Sequence, residues 1–399
     1  MKKILKDLII LSIIFFISFV VSKNFFYENN IKLNNSKLKY SVKHKGLKGA
    51  VDFTVDDKGN YYICYKDKIQ FIDDKGKSYN ILENADFNIT SVDYSKDILY
   101  FASKTKVYKL NLKNKKTSVL VDNIPNLGDY NKSLVKIKED ELYITIGAAT
   151  NSGVVGEDNK WVREYPFFCD LSPNKIMLSG QNFNKNTAGA FNTKNTKSMR
   201  GQIIPKHFPG NSSIIVYNIK NNKAKTYAWG IRNFKGIDFN KKGNLIISTT
   251  GMENRGYRPV KMDLDYIYKV KKGVWYGFPD YSGGDPINSP RFKGKNNTVI
   301  NFVLDKHPST NPPAPLYQHK KLNSLGSLAV DKEGKVLEPD TIVFYDKESK
   351  NIYSLDKLGI LNKEGNLSKG NIKSIKIIKN NITMLDNDRG YIYIINNDK

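Results

Sequence analysis

The sequence predicts an all-β fold, a six-bladed β-propeller with long loops over one face, preceded by an N-terminal hydrophobic segment. Three observations predict it: a hairpin phrase that returns along the chain, the near absence of helical periodicity, and two long irregular intervals that interrupt the phrase. The phrase is a run of alternating apolar residues, an acidic or glycine turn, and a second alternating run, and a period of two marks half-buried strands. It occurs as VDFTVDDKGNYYICY (51–65), SVDYSKDILYFAS (91–103), LVKIKEDELYITIG (134–147), GIDFNKKGNLIIST (236–249), SLAVDKEGKVLEP (327–339) and IKIIKNNITMLDNDRGYIYII (375–395). A polar pair such as Lys-Gly supplies each tight turn. Several phrases continue into a third strand, as in KIQFIDD (68–74) and KVYKLNL (106–112). About 350 residues at about 45 to 60 per four-stranded blade give about six to eight blades, and the insertions bring the number to six. A pair of β-sandwiches is the competing architecture. It does not account for so uniform a return of the phrase from Val51 to Ile395.

Ahead of the first phrase, Lys2, Lys3 and Lys6 precede an apolar run from Leu8 to Val21 that ends at Ser22-Lys23. This is export punctuation. At roughly 14 residues the run is shorter than the ~20 that span a bilayer comfortably, so residues 1–22 read equally as a signal peptide or an N-terminal membrane anchor. Either reading places the protein outside the cytoplasm, anchored to the membrane or secreted. Residues 23–48 read as a polar stalk and the entry to the first blade, and 49–399 as the propeller. The two cysteines, Cys64 and Cys169, fit no metal-ligand spacing and read as free thiols.

The net charge is +25, from 64 Lys and Arg against 39 Asp and Glu. Such a field favours anionic surfaces in a salt-dependent way. The lysines are interspersed through strands and turns, with no zinc finger, RNA-binding signature or long basic helix, so nucleic acid is not an expected partner. The irregular intervals run from Ala148 to about Asn211 and from Gly251 to about Lys320, rich in Gly, Pro, Asn and aromatics. Long loops in a compact domain are commonly functional, and the aromatic content argues against disorder.

Within and beside these intervals stand ITIGAATNSGVVGEDNKW (144–161), AWGIRNFKGIDFNKKGNL (228–245), GMENRGYRPVKMDLDYIYKV (251–270), GVWYGFPDYSGGDP (273–286) and LDNDRGYIYII (385–395). Together they resemble the glucose/sorbosone dehydrogenase family, six-bladed propellers whose active members oxidise sugars with pyrroloquinoline quinone (PQQ) and calcium. The resemblance implies that Arg232 and Asn233 lie at the mouth of a central channel; there a guanidinium offers paired donors and an amide both donates and accepts. Arg232 can instead hold a blade corner. Arg255 and Arg258 add positive potential over a tricarboxylate or sit as rim charges. Asp263 and Asp265 match an acidic pair ahead of a strand, although two carboxylates alone make a poor calcium site. Trp275 and Tyr276 form a packed turn or a platform for a flat ligand.

One departure stands out. Active members carry a histidine just before the strand equivalent to LVKIK, suited to take a proton because its pKa lies near working pH. The corresponding loop here, Gly128 to Ser133, has none, and Asp129 occupies the approximate position. His44, His207, His307 and His319 lie elsewhere in the sequence. Two expectations follow: oxidation of an aldose with PQQ and calcium, or an inactive propeller that binds a sugar, a glycan or another cell-surface ligand. A metal-dependent lactone hydrolase would need a Glu, Asn and Asp cluster that the sequence does not assemble.

Overall fold

The computed structural model describes Ser12 and residues 30–397 of the 399-residue chain. Six antiparallel sheets follow one another along it. The first comprises Asp52–Val55, Tyr61–Cys64, Lys68–Ile72 and Ser78–Glu83; the second, Ile89–Ser95, Ile98–Ser103, Lys106–Asn111 and Thr117–Val121. The third is built from Val135–Lys138, Glu141–Ile146, Ser213–Asn218 and Lys223–Trp229, and the fourth from Phe234–Phe239, Leu245–Thr250, Asp265–Val270 and Tyr317–His319. Leu325–Asp331, Thr341–Asp346, Asn351–Leu355 and Leu361–Leu367 make the fifth, and Ile372–Ile378, Asn381–Asp386 and Tyr391–Asn397 begin the sixth. The first strand of each sheet contacts the first strand of the next, and that of the sixth returns to that of the first. The sheets therefore close a ring, which excludes two facing sandwiches.

The start of the described chain closes the ring's outer side. Leu38–His44 pairs with Tyr391–Asn397 as the outermost strand of the sixth sheet, and Ile31–Leu33 adds a fifth strand to the fifth sheet opposite Leu367 to Gly365. This corrects one expectation: from residue 31 onward the stretch read as a polar stalk is paired strand, with Ile31 and Leu38 buried. The apolar run from Leu8 to Val21 lies, apart from Ser12, outside the described residues. Among the described residues no helix is long and apolar enough to cross a membrane.

Several of the turns form for the reason the acidic turn phrase suggests, while others pass through positive-φ residues such as Lys96 and Asp97. Asp56, Asp73 and Asp356 each accept backbone N–H bonds from residues two and four positions on, at 2.7 to 3.0 Å, closing Asx-type turns. Burial goes further than simple alternation. Tyr62, Cys64 and Ile69 of the first sheet pack on Ile89, Val92, Leu99 and Phe101 of the second, and Tyr100, Ala102 and Val107 of the second pack on Val135, Leu142 and Ile144 of the third. Every later junction has its own apolar cluster, including that between sixth and first. A sheet covered on both faces buries its central strands throughout, as in Tyr61–Cys64 and Leu245–Thr250.

Both cysteines are free. Burial raises the Cys64 thiol pKa and pushes that of Cys169 up to about 12, so neither is readily ionised. The two irregular intervals meet: Ile176–Ser179 pairs with Arg200–Ile204 on one side and with Leu304–Lys306 on the other. Their joint core, which includes Leu178, Ala190, Trp229, Trp275 and Val303, shows them to be packed structure.

Candidate functional site

The first strands of the six sheets surround a channel of about 430 Å³. Its deeper wall carries Asp52, Lys136, Asp238 and Lys376, which neutralise one another. Lys136 Nζ lies 3.1 Å from Asp238 and 4.0 Å from Asp93; Lys376 Nζ lies 3.6 Å from Asp52 and 4.0 Å from Asp93. Burial works against the charge on Lys136, but Asp238 and Asp93 overcome it and raise its pKa. This belt is a closed electrostatic circuit.

Nearer the loops the chemistry changes. Lys132, Lys235, Lys347 and Lys373 line the same channel, and none has a hydrogen-bond or ion-pair partner for its ammonium group among the described residues. Lys235 and Lys373 precede Asp238 and Lys376 by three residues, roughly 10 Å of strand. Both sit where the pairing register shifts, between Phe234 and Gly236 and between Ile372 and Ser374. The second sheet has the same irregularity between Ile89 and Ser91, which places Thr90 on the channel wall. A bulge re-aims the extra residue, and here it supplies residues of the channel lining. Burial pushes the Lys235 pKa down to about 7, helped by Lys347 and Arg232 and opposed by Asp265. Burial likewise pushes Lys373 down to about 8, with Lys132 and Lys347 adding to the shift.

Asp129 and Asn233, singled out in the sequence, do line the channel. Asp129 is heavily bonded: Oδ1 accepts from Trp161 Nε1 at 2.9 Å, and Oδ2 from Asn159 Nδ2 at 2.9 Å and Arg255 Nη2 at 2.7 Å. Asn233 donates through Nδ2 to Thr250 Oγ1 at 2.8 Å. Arg232 is buried and spent on the protein itself. Nε donates to Asn151 O (2.8 Å), Nη1 to Thr250 Oγ1 (3.2 Å) and Gly251 O, and Nη2 to Asn151 Oδ1 (2.8 Å), Glu253 Oε2 (3.0 Å) and the Tyr130 hydroxyl. Its guanidinium also lies 4.1 Å from the centre of the Tyr130 ring. Burial lowers the Arg232 pKa to about 10 despite the Glu253 charge. Arg255 joins Asp129, Glu253, Asp158 and Tyr130. Tyr130 and Glu253 were not singled out in the sequence, yet they bind these two arginines together and line the channel.

The remaining candidates sit within packed structure. Arg258 is fully buried against Asp280 (2.6 Å) and the carbonyls of Ser152, Pro279 and Asn301. Asp263 accepts from Met252 N, Leu264 N, Tyr266 OH and Ser282 Oγ. Asp265 ties the fourth sheet to the fifth by accepting from Asn323 N and Leu325 N, and burial pushes its pKa up to about 6 against those bonds. Trp275 and Tyr276 are buried; Trp275 Nε1 donates to Phe278 O, and the Tyr276 hydroxyl to Lys269 O. None of the four histidines lines the channel. His307 faces Asp280, His319 faces Asp346, His207 contacts Pro209 O, and His44 packs edge-on against Tyr61.

The acidic side chains do not form a calcium site. Among the described residues no three His, Cys, Asp or Glu side chains are grouped to hold a metal. Glu253 and Asp129 at the mouth are committed to arginines, and a dication would meet the lysines' like charge. A polycarboxylate such as PQQ does match those lysines in sign; when bound, that group supplies a two-electron acceptor, but no histidine stands beside it in the channel wall.

No family model matches the chain, and no curated protein sequence matches it. Solved structures do. A Trichoderma reesei carbohydrate-active enzyme of family AA12 superposes with a TM-score of 0.62 at 12% identity, over 92% of this chain and 98% of that one. The holo PQQ domain of pyranose dehydrogenase from Coprinopsis cinerea gives 0.61 at 11% identity, over 92% and 97%. The apo soluble aldose sugar dehydrogenase of Escherichia coli gives 0.57 at 10% identity, over 90% and 99%. At these identities the likeness is one of fold. Along nearly its whole length, then, the chain is similar to the glucose/sorbosone dehydrogenase-like sugar oxidoreductases and shares their fold.

Proposed function

We propose that the protein is an exported six-bladed propeller that binds a sugar or a surface glycan in the mouth of its central channel without oxidising it. The bonding of Asp129 carries this reading. The carboxylate at the approximate place of the expected base is held by Arg255, Trp161 and Asn159, so both of its oxygens are already engaged by the protein's own donors. The channel volume suits a small saccharide, and Thr90, Asn131, Asn233, Asn323 and Ser327 line it with groups able to meet sugar hydroxyls. The test is equilibrium binding of the full chain to a panel of neutral and charged saccharides. Binding that weakens in Asn131→Ala and Ser327→Ala supports the reading; no binding to any member refutes it.

A second reading, a PQQ-dependent aldose dehydrogenase, is favoured by the unpaired lysines, which match a polycarboxylate. It requires aldose-dependent dye reduction by the full chain after reconstitution with PQQ and calcium. Reduction at the protein-free rate removes it.

A further inference from the structure

We infer that the channel mouth is a polyanion site, where Lys132, Lys235, Lys347 and Lys373 hold a saccharide bearing phosphate or carboxylate groups rather than a neutral sugar. The inference rests on the proposed saccharide-binding reading and names its ligand class. Its first support is contrast within one channel. Lys136 and Lys376 show how this fold neutralises a lysine on its inner wall, with aspartates within 4.0 Å. The four lysines nearer the loops receive no such partner among the described residues. The carboxylates near them are engaged: Glu253 accepts from Arg232, Arg255, Tyr130 and Asn323, and Asp265 from backbone N–H groups.

The second support is backbone geometry. Lys235 and Lys373 occupy register shifts in different sheets, equivalent to the shift that carries Thr90. A fourth shift, between Leu325 and Leu328 of the fifth sheet, carries Gly326 and Ser327, so the bulge recurs as a feature of the repeat while the residue placed on it varies, and two of the four carry a lysine. The third support is electrostatic. Bringing half-buried ammonium groups together is unfavourable in the free protein, as the lowered pKa values of Lys235, Lys347 and Lys373 express. An anion seated among them removes that penalty and restores the protons. The groups facing Lys235 are Lys132, Lys347 and Arg232, which favour its neutral form, and Asp265, which opposes them. A neutral sugar does nothing to this balance, and a divalent cation worsens it.

The test is titration of the full chain with pyrophosphate, glucose 6-phosphate, glucuronate, glucose and PQQ, followed by calorimetry and by thermal shift. Binding of the phosphates and glucuronate, with glucose far weaker and with affinity falling steeply as salt is raised, is the expected result. Lys235→Met and Lys373→Met should each weaken anion binding about tenfold, as loss of a charge-assisted hydrogen bond predicts, while Lys373→Arg retains it. The Met variants should also melt at higher temperature than the wild type in the absence of ligand. That pairing of gained stability with lost affinity separates a ligand site from lysines that merely support the fold. Glucose binding equal to that of glucose 6-phosphate and indifferent to the substitutions would overturn this inference and leave the saccharide-binding reading standing. Binding of PQQ alone would overturn it in favour of the quinone reading, and binding of nothing would overturn both readings.

Discussion

Arg255 Nη2 lies 2.7 Å from Asp129 Oδ2, and this contact turns the approximate position of a catalytic base into part of a frame. The same guanidinium reaches Glu253 and Asp158, and Glu253 in turn reaches Arg232. Two arginines, three carboxylates and Tyr130 thus join the loop at 128–133 to both insertions. Asp129→Asn keeps an oxygen for Trp161 but removes the charge facing Arg255. The expected cost is about 2 kcal/mol of stability, the size of a charged hydrogen bond, read as a lowered urea midpoint, with glucose 6-phosphate affinity preserved. Unchanged stability with lost binding would put Asp129 on the ligand.

Arg258 and Asp280 form a pair with almost no solvent access, at 2.6 Å. Asp280 also accepts from Val303 N and Leu304 N and faces His307, so it anchors the second insertion. Arg258→Met leaves that carboxylate uncompensated and should cost about 3 to 5 kcal/mol. Thermal unfolding followed by near-ultraviolet circular dichroism checks this, since Trp229 and Trp275 lie in the insertion core.

Lys235 gives a pH signature of opposite sense to a stabilising ion pair. Burial moves its pKa from the usual 10.5 to about 7, so between those values the unfolded chain binds more protons than the folded one. Stability from this group therefore rises with pH across about 7 to 10.5; the penalty is full below the lower value and gone above the upper. Lys235→Met should flatten that slope in a series of urea denaturations. An unchanged slope would show that the ammonium group is solvated.

The ring depends on residues before the first repeat. Leu38–His44 is the outermost strand of the sixth sheet, and its removal exposes the edge formed by Tyr391–Asn397 together with the apolar surface around Ile395. A chain beginning at residue 46 should lose cooperative unfolding and become protease-sensitive near its C-terminus. Limited proteolysis with mass spectrometry reads this directly; a fragment pattern like that of the full chain would contradict it.

The fold was legible because its physics is local. Period-two alternation recurs with each hairpin, Asx turns close several of them, and the motif wording pointed to a channel whose mouth includes Asn233 and Asp129. The partners of Arg232 and Arg255 were not legible, since they come from Asn151, Tyr130 and Glu253, far apart in sequence and adjacent only once the ring closes. The lysines left a faint local trace: Asn88-Ile89-Thr90-Ser91-Val92, Asn233-Phe234-Lys235-Gly236-Ile237 and Asn371-Ile372-Lys373-Ser374-Ile375 are one phrase whose third residue is the bulge. Against 64 Lys and Arg residues that signal is lost unless the repeats are first aligned on their inner strands. Residues 31–44 were misread because their pairing partners lie over 300 positions away.

Proton uptake on binding tests the central claim most directly. Glucose 6-phosphate is titrated into the full chain at about pH 8, above the folded pKa of Lys235, in two buffers of different ionisation enthalpy. The account predicts saturable binding with net proton uptake in the wild type and markedly less uptake in Lys235→Met. Binding with no proton uptake, or uptake that Lys235→Met leaves unchanged, would contradict it.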